Sequence, residues 1–267
     1  MKNRIVILPL LGLIFAGCGS TKTPKVKANI AKDTLTYTYQ KVLQKAADCG
    51  SKKDTAGCSL ANVSYPVFNK QTELTDTVTR RMLRLFDADP EKDFETQAKN
   101  FIASYDAWIK KMKKKPESSF KLDEYGKVLR QDSNIVTIEI GGSSFGGSKH
   151  PVSLVKFINW DTKAEKDINL SDILVSGYKE KLDAVAERIF RKQENLKDTS
   201  SLIRDYFFKG GKFNLNNNYL ISPVGLRFLY NVYEIKPFAA GTTDVYIPYG
   251  EIKDLLKQGT VVGQYVK

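Results

Sequence analysis

The chain has 267 residues, 42% hydrophobic and 11% aromatic, which is the make-up of an ordinary globular protein with room for one large or two small domains. It carries 42 Lys and Arg against 30 Asp and Glu, a formal charge of +12 at pH 7, which favours anionic neighbours such as phospholipid head groups, envelope phosphates and peptidoglycan carboxylates. A single histidine and three cysteines supply few nitrogen and sulfur ligands, which argues strongly against a zinc deacetylase or peptidase and leaves no metal or cofactor to expect.

Met1 to Arg4 give a positive start, and Ile5 to Ala16 is apolar apart from Pro9 and Gly12. That run is shorter than the roughly 20 residues a membrane-crossing helix needs. Its length and flank suit a signal-peptide core. It ends in Phe15-Ala16-Gly17-Cys18, small residues ahead of a cysteine, as in a lipobox; Phe15 stands where Leu is most often found. Residues 1–17 therefore read as a lipoprotein signal peptide, with Cys18 lipidated after cleavage. Two or more acyl chains anchor stably where one does not. Residues 18–29, rich in Ser, Thr, Lys and Pro, read as a flexible tether. Lys2 and Arg4 leave with the signal, so the mature chain keeps 40 basic against 30 acidic residues, a net of +10. No other segment is long and apolar enough to cross a bilayer, so an integral sensor with a cytoplasmic tail is not expected. No acidic run follows Cys18, which favours a periplasm-facing anchor, and export makes nucleic acid an unexpected partner.

Thr34 to Val42 alternates, with Leu35, Tyr37 and Tyr39 on one face, and predicts a strand; Ala61–Phe68 repeats the period of two. Between them lie Cys49 and Cys58. An oxidising envelope would join this pair across a polar loop, stabilising by about 2–3 kcal/mol in the chain-entropy model. The spacing is wrong for a Cys-x-x-Cys redox or metal site. Leu74, Val78, Met82 and Leu85 fall at helical spacing. Asp89-Pro90-Glu91 then predicts a helix start, with Asp as N-cap and Pro at the first position. Phe94, Phe101, Tyr105, Trp108 and Met112 share one face of that helix. Lys110, Lys111, Lys113, Lys114 and Lys115 close it before Pro116, either complementing the macrodipole or forming a phosphate-binding patch.

From Phe120 the pattern turns to strands at Tyr125–Arg130, Ile135–Ile140 and Val152–Trp160, with Gly141-Gly142 and Gly146-Gly147 predicting a turn or bulged hairpin. Ser171-Asp172 opens a helix, and Tyr178, Leu182, Val185 and Ile189 mark another. Short strands are predicted at Phe213–Leu215, Tyr219–Ser222, Leu226–Tyr230 and Thr243–Ile247, and a last helix over Tyr249–Lys257. Helices over one face of antiparallel sheets make an α+β protein.

Three stretches carry a family resemblance: Gly146 to Pro151; Phe157 to Leu174; and Tyr233 to Leu256, which begins YEIKPFAAG. Together they resemble the extracellular domain shared by lysozyme-sensing anti-sigma-V factors and some peptidoglycan deacetylases, there a domain of unknown function. Val63 to Phe68 with its two following helices resembles the smaller α/β domain that precedes it. The resemblance implies two α/β subdomains, 30–140 and 141–267. It also implies a binding or sensing module for a peptidoglycan fragment or a lysozyme-like protein, since the anti-sigma factors recognise lysozyme and the deacetylases keep catalysis in a separate domain. The extra residue between the glycines and His150 departs from the family's tighter turn.

No catalytic constellation accompanies this. His150 lies on a turn without a nucleophile elbow, and Gly142 to Lys149 fails as a phosphate loop because Lys149 is one position late. Glu234, Asp244 and Glu251 are carboxylates that a glycan-acting enzyme could pair, although ion pairing with the many cations is the commoner fate. Tyr233, Glu234, Phe238, Tyr246 and Tyr249 form the candidate ligand surface, with half-buried core as the alternative for the aromatics. Three readings result: a non-catalytic, membrane-anchored binding module; an accessory lipoprotein docking to another envelope protein; and, third, a carboxylate-dependent glycan enzyme.

Overall fold

The computed structural model describes residues 35–49, 57–132 and 134–266. The signal peptide, Cys18 and the tether lie outside the described residues. The expected α+β architecture is present, as two sheets with helices packed on them. The larger sheet runs in spatial order β1 (Tyr37–Lys45), β2 (Leu60–Phe68), β3 (Lys121–Gln131), β4 (Ile135–Phe145), β5 (Val152–Asp161) and β6 (Lys166–Asp167). Every neighbouring pair is antiparallel except β2 and β3. Those two are parallel because α1 (Thr72–Leu83) and α2 (Phe94–Met112) form the crossover between them. The sheet is thus mixed rather than purely antiparallel.

The heptad-like spacing in α1 buries Leu74, Val78 and Met82 against Val136, Ile138, Ile140 and Ile158 of β4 and β5. α2 begins at Phe94, four residues later than the Asp89-Pro90 signal predicted. Asp93 is the N-cap instead: its carboxylate accepts the Thr96 amide at 2.7 Å. The buried face is Phe94, Ala98, Ile102 and Tyr105, while Met112 of the predicted stripe is exposed. Lys113 adopts a left-handed conformation that ends the helix, so Lys113 to Lys115 lie beyond its last turn.

The predicted turn at Gly141-Gly142 is not one. Both glycines sit inside β4, where a Cβ on Gly142 would come within 2.3 Å of the Asp123 carbonyl; glycine there permits close approach of β3. The turn is at Gly146-Gly147, with Gly147 at φ +82°. β4 runs through the expected subdomain boundary at 140/141.

The second sheet, β7 (Tyr219–Ile221), β8 (Gly225–Tyr230) and β9 (Thr243–Pro248), is antiparallel. It shares a core with α3 (Leu170–Ile173), α4 (Tyr178–Gln193) and the closing segment Tyr249–Leu255, which is a 3-10 helix rather than the expected α-helix. Phe213 and Leu215 do not form a strand. They are buried anchors of an irregular stretch, fixed where Tyr230 Oη donates to the Asn214 carbonyl at 2.7 Å.

Candidate functional site

The edge of β5 beyond its short partner β6 is not left open. Val155 N–H donates to Asn231 Oδ1 at 2.7 Å and Phe157 N–H donates to Asn218 Oδ1 at 3.0 Å. The Val155 carbonyl accepts from both amides, Asn218 Nδ2 at 2.9 Å and Asn231 Nδ2 at 3.0 Å. In the reverse direction Asn159, buried on β5, accepts the Ile221 amide and donates to the Tyr219 carbonyl, both at 2.8 Å. Three asparagine side chains thereby substitute for a missing strand ladder and join the two sheets. An amide offers one acceptor and two donors, which is what an unpaired strand edge demands.

Above this seam lies a groove of about 880 Å³. One wall is the C-terminal end of α1, with Arg80 and Arg81 of its last turn and Arg84 at its C-cap. The floor is Leu154, Lys156 and Phe157 of β5, and the other wall is Asn216 to Asn218 with Asn231 to Glu234. A second depression of about 370 Å³ shares Arg81, Phe157 and Asn217 with the groove and is lined on its own account by Tyr178 and Tyr219. Burial, before any neighbouring charge, pushes the Tyr219 hydroxyl above the usual phenol range, and it donates to the Ile168 carbonyl at 2.7 Å, so it stays a neutral donor.

Four cations line the larger groove against one carboxylate, Glu234. Arg81 is paired with Asp167 of β6. Arg80 reaches Thr77 Oγ1 at 3.2 Å, one turn back. Arg84 and Lys156 are exposed and have no ion-pair partner among the described residues. Glu234 is held in place: Oε1 accepts from Asn216 Nδ2 and Oε2 from the Asn231 amide, each at 2.7 Å.

Of the predicted ligand surface, three residues come together. Tyr233, with φ +68° and 57% exposed, leans on Phe238 at 5.5 Å between ring centroids, next to Glu234. The His150 ring stacks on the far side of the cluster, 5.1 Å from Phe238 and 19° from parallel. His150 is thus part of an exposed aromatic group rather than an isolated turn residue. Tyr249 does not belong to this surface: it is 5% exposed and its hydroxyl donates to the Ser222 carbonyl, so it is core. Tyr246 sits on β9 opposite Arg227 of β8, half-buried, away from the cluster.

The carboxylates do not form a pair. Asp244 makes a two-pronged contact with Arg227 at 2.7 and 3.1 Å, and Glu251 meets Arg188 at 2.6 Å. Among the described residues no group of three His, Cys, Asp or Glu side chains could hold a metal ion, and no helix is long and apolar enough to cross a membrane. Cys49 and Cys58 form a disulfide, with 5.4 Å between their Cα atoms. Beside it Lys115, the last of the lysine cluster, meets Asp48 at 2.7 Å. That hydrogen bond, reinforced by one from Tyr105, outweighs partial burial and holds the Asp48 carboxyl below its usual range.

The arginine wall and the asparagine seam are the features that sequence reasoning missed. Part of their signal was present: basic residues at i, i+1 and i+4 at the end of an amphipathic helix, and three consecutive asparagines before a strand, of which Asn218 alone belongs to the seam.

Residues 171–250 match the model of a family described as a protein of unknown function, DUF3298. That stretch contains the asparagine wall of the groove and Tyr233, Glu234 and Phe238, while the arginine wall lies outside it. No curated protein matches the chain. Two crystal structures of DUF3298 family proteins share its fold. One, from Pseudomonas aeruginosa PAO1, is 20% identical with a TM-score of 0.68, covering 85% of this chain and 96% of that one. The other, from Bacteroides fragilis NCTC 9343, is 21% identical with a TM-score of 0.69, covering 90% of this chain and 99% of that one.

Proposed function

We propose, from a DUF3298 region at residues 171–250 set beside a basic groove, that the protein is an envelope lipoprotein anchored through Cys18 and facing the periplasm. Its folded part binds a cell-wall ligand without converting it. The observation that carries this reading is the groove itself: Arg80, Arg84 and Lys156 are exposed, while its one carboxylate, Glu234, is occupied by Asn216 and the Asn231 amide. Such a surface attracts anions and offers no free acid–base pair for glycan hydrolysis. Tyr233, which lines the groove and leans on Phe238, adds an aromatic contact surface. Between the two ligands that the resemblance suggests, a peptidoglycan fragment with free carboxylates suits the charge better than a lysozyme, since many lysozymes are themselves basic.

Titrating the full chain in detergent with soluble muropeptides and with lysozyme tests the reading. Saturable binding of muropeptides with no turnover supports it; no binding of either at high micromolar concentration removes it. The anchor is tested separately. Cys18→Ser should release the protein from membranes or leave it unprocessed, and a variant that stays processed and membrane-bound sinks the lipoprotein assignment.

A further inference from the structure

We infer that the groove between α1 and the Asn216–Asn218 wall is the ligand site, and that it takes an acidic oligosaccharide, several rings long, with its carboxylates on Arg80, Arg84 and Lys156. This rests on the binding-module reading and gives it a location and a ligand class.

Size excludes a small anion as the natural occupant. Two adjoining depressions of about 880 Å³ and 370 Å³ together reach the upper end of ordinary small-molecule sites, which run to roughly 1,000 Å³. A single phosphate would leave them mostly water. Depressions that adjoin and share Arg81, Phe157 and Asn217 in their linings suit an elongated ligand. Charge sets its sign: three of the four cations have no carboxylate partner among the described residues, and guanidinium forks match carboxylates bidentately. The remaining lining is what a sugar chain uses. Asn217 lines both depressions and its amide makes no hydrogen bond with any described residue, leaving one acceptor and two donors for hydroxyl groups. Tyr233 presents an exposed ring at one end for stacking on a pyranose face. The cations stand inside a concavity walled by Asn216 to Asn218 rather than on a flat face, a shape that admits a single chain and not a bilayer of head groups.

The test uses the full chain in detergent, calorimetric titration, and three probes: a hexamer of galacturonic acid, a neutral hexaose of equal length, and inorganic phosphate. The uronide should bind, and the neutral sugar should bind about tenfold or more weakly, as expected for loss of charge-assisted contacts. Arg84→Gln and Asn217→Ala, both at exposed positions, should each weaken the uronide about tenfold with an unchanged melting temperature. Affinity should fall as salt rises. Equal binding of the neutral sugar, displacement of the uronide by stoichiometric phosphate, or wild-type affinity in both variants overturns the inference. Muropeptide binding with no uronide binding also overturns it and leaves the wider reading standing. Uronide binding without muropeptide binding does the reverse.

Discussion

In the core under the larger sheet the buried side chains are mostly aliphatic: Leu74, Val78, Met82, Val136, Ile138 and Ile140, all on regular strands and helices. The core of the C-terminal half is also mostly aliphatic, but it holds an aromatic cluster in which Phe190 of α4 meets Tyr206, Phe208 and Phe213 at centroid distances of 5.1 to 5.6 Å. Three of those four rings come from residues between α4 and β7, where the backbone has no ladder of its own. A regular element satisfies its own amides, so its buried side chains need only be apolar. An irregular stretch must be tied down by groups with an apolar body and a polar tip. Tyr206 donates to Glu194 at 2.9 Å, Tyr230 to the Asn214 carbonyl at 2.7 Å, and Arg191 to the carbonyls of Lys197 and Ser200 at 3.1 and 2.8 Å.

If that contrast is right, truncation at the centre of the aromatic cluster should be the most damaging change. Phe190→Ala, at a fully buried position touching three other rings, should cost about 4 kcal/mol in urea unfolding. Ile138→Val in the core under the larger sheet should cost about 1 kcal/mol. Comparable losses at the two sites would show that the rings are filler rather than the scaffold of the irregular stretch.

The larger-sheet half also buries a carboxyl, Glu124 on β3, only 2% exposed, with Gln97 Nε2 donating to it at 3.2 Å. Burial, partly offset by that hydrogen bond, pushes its carboxyl up to about 7 from an ordinary 4.5. The folded protein therefore keeps this proton where the unfolded chain has released it. Stability from this group is fully present below pH 4.5 and declines as pH rises towards 7, by about 3 kcal/mol in all. Glu124→Gln should flatten the decline. A wild-type stability that holds level or rises through this window, in the same way as the variant, would place Glu124 in contact with water.

At the boundary between the halves the expected effect is smaller. Asn231→Ala strips the Val155 amide of its partner and the Val155 carbonyl of one of two, which should cost about 2 kcal/mol. Hydrogen exchange at Val155 should accelerate before exchange in β4 does. Uniform acceleration across both sheets would mean that the halves open as one unit and that the contrast between them has no thermodynamic meaning.

Legibility followed the same division. β2 and α1 stand almost where periodicity placed them, because an alternating or 3.6-residue pattern is decided within the segment. α2 was begun too early because Asp89-Pro90 and Asp93 are both plausible caps, and only the contact with Thr96 separates them. Gly141 and Gly142 look like a turn in one dimension; that they relieve crowding against β3 is visible only in the pairing. The site was the least legible part. Tyr233, Glu234 and Phe238 already stand close together in the sequence. The arginines of α1 and the asparagines facing them are more than 130 positions apart in the chain and become one feature only when β5 lies between them.

The asparagine seam between β5 and the second sheet has a further consequence. Its members are uncharged at any physiological acidity, so the joint neither titrates nor weakens as ions screen it. The groove directly above is the opposite, a wall of guanidinium groups whose pull on a ligand varies with the surrounding electrolyte. A compartment whose ionic content follows the outside medium would therefore tune how tightly the ligand is held without altering the shape of the vessel that holds it.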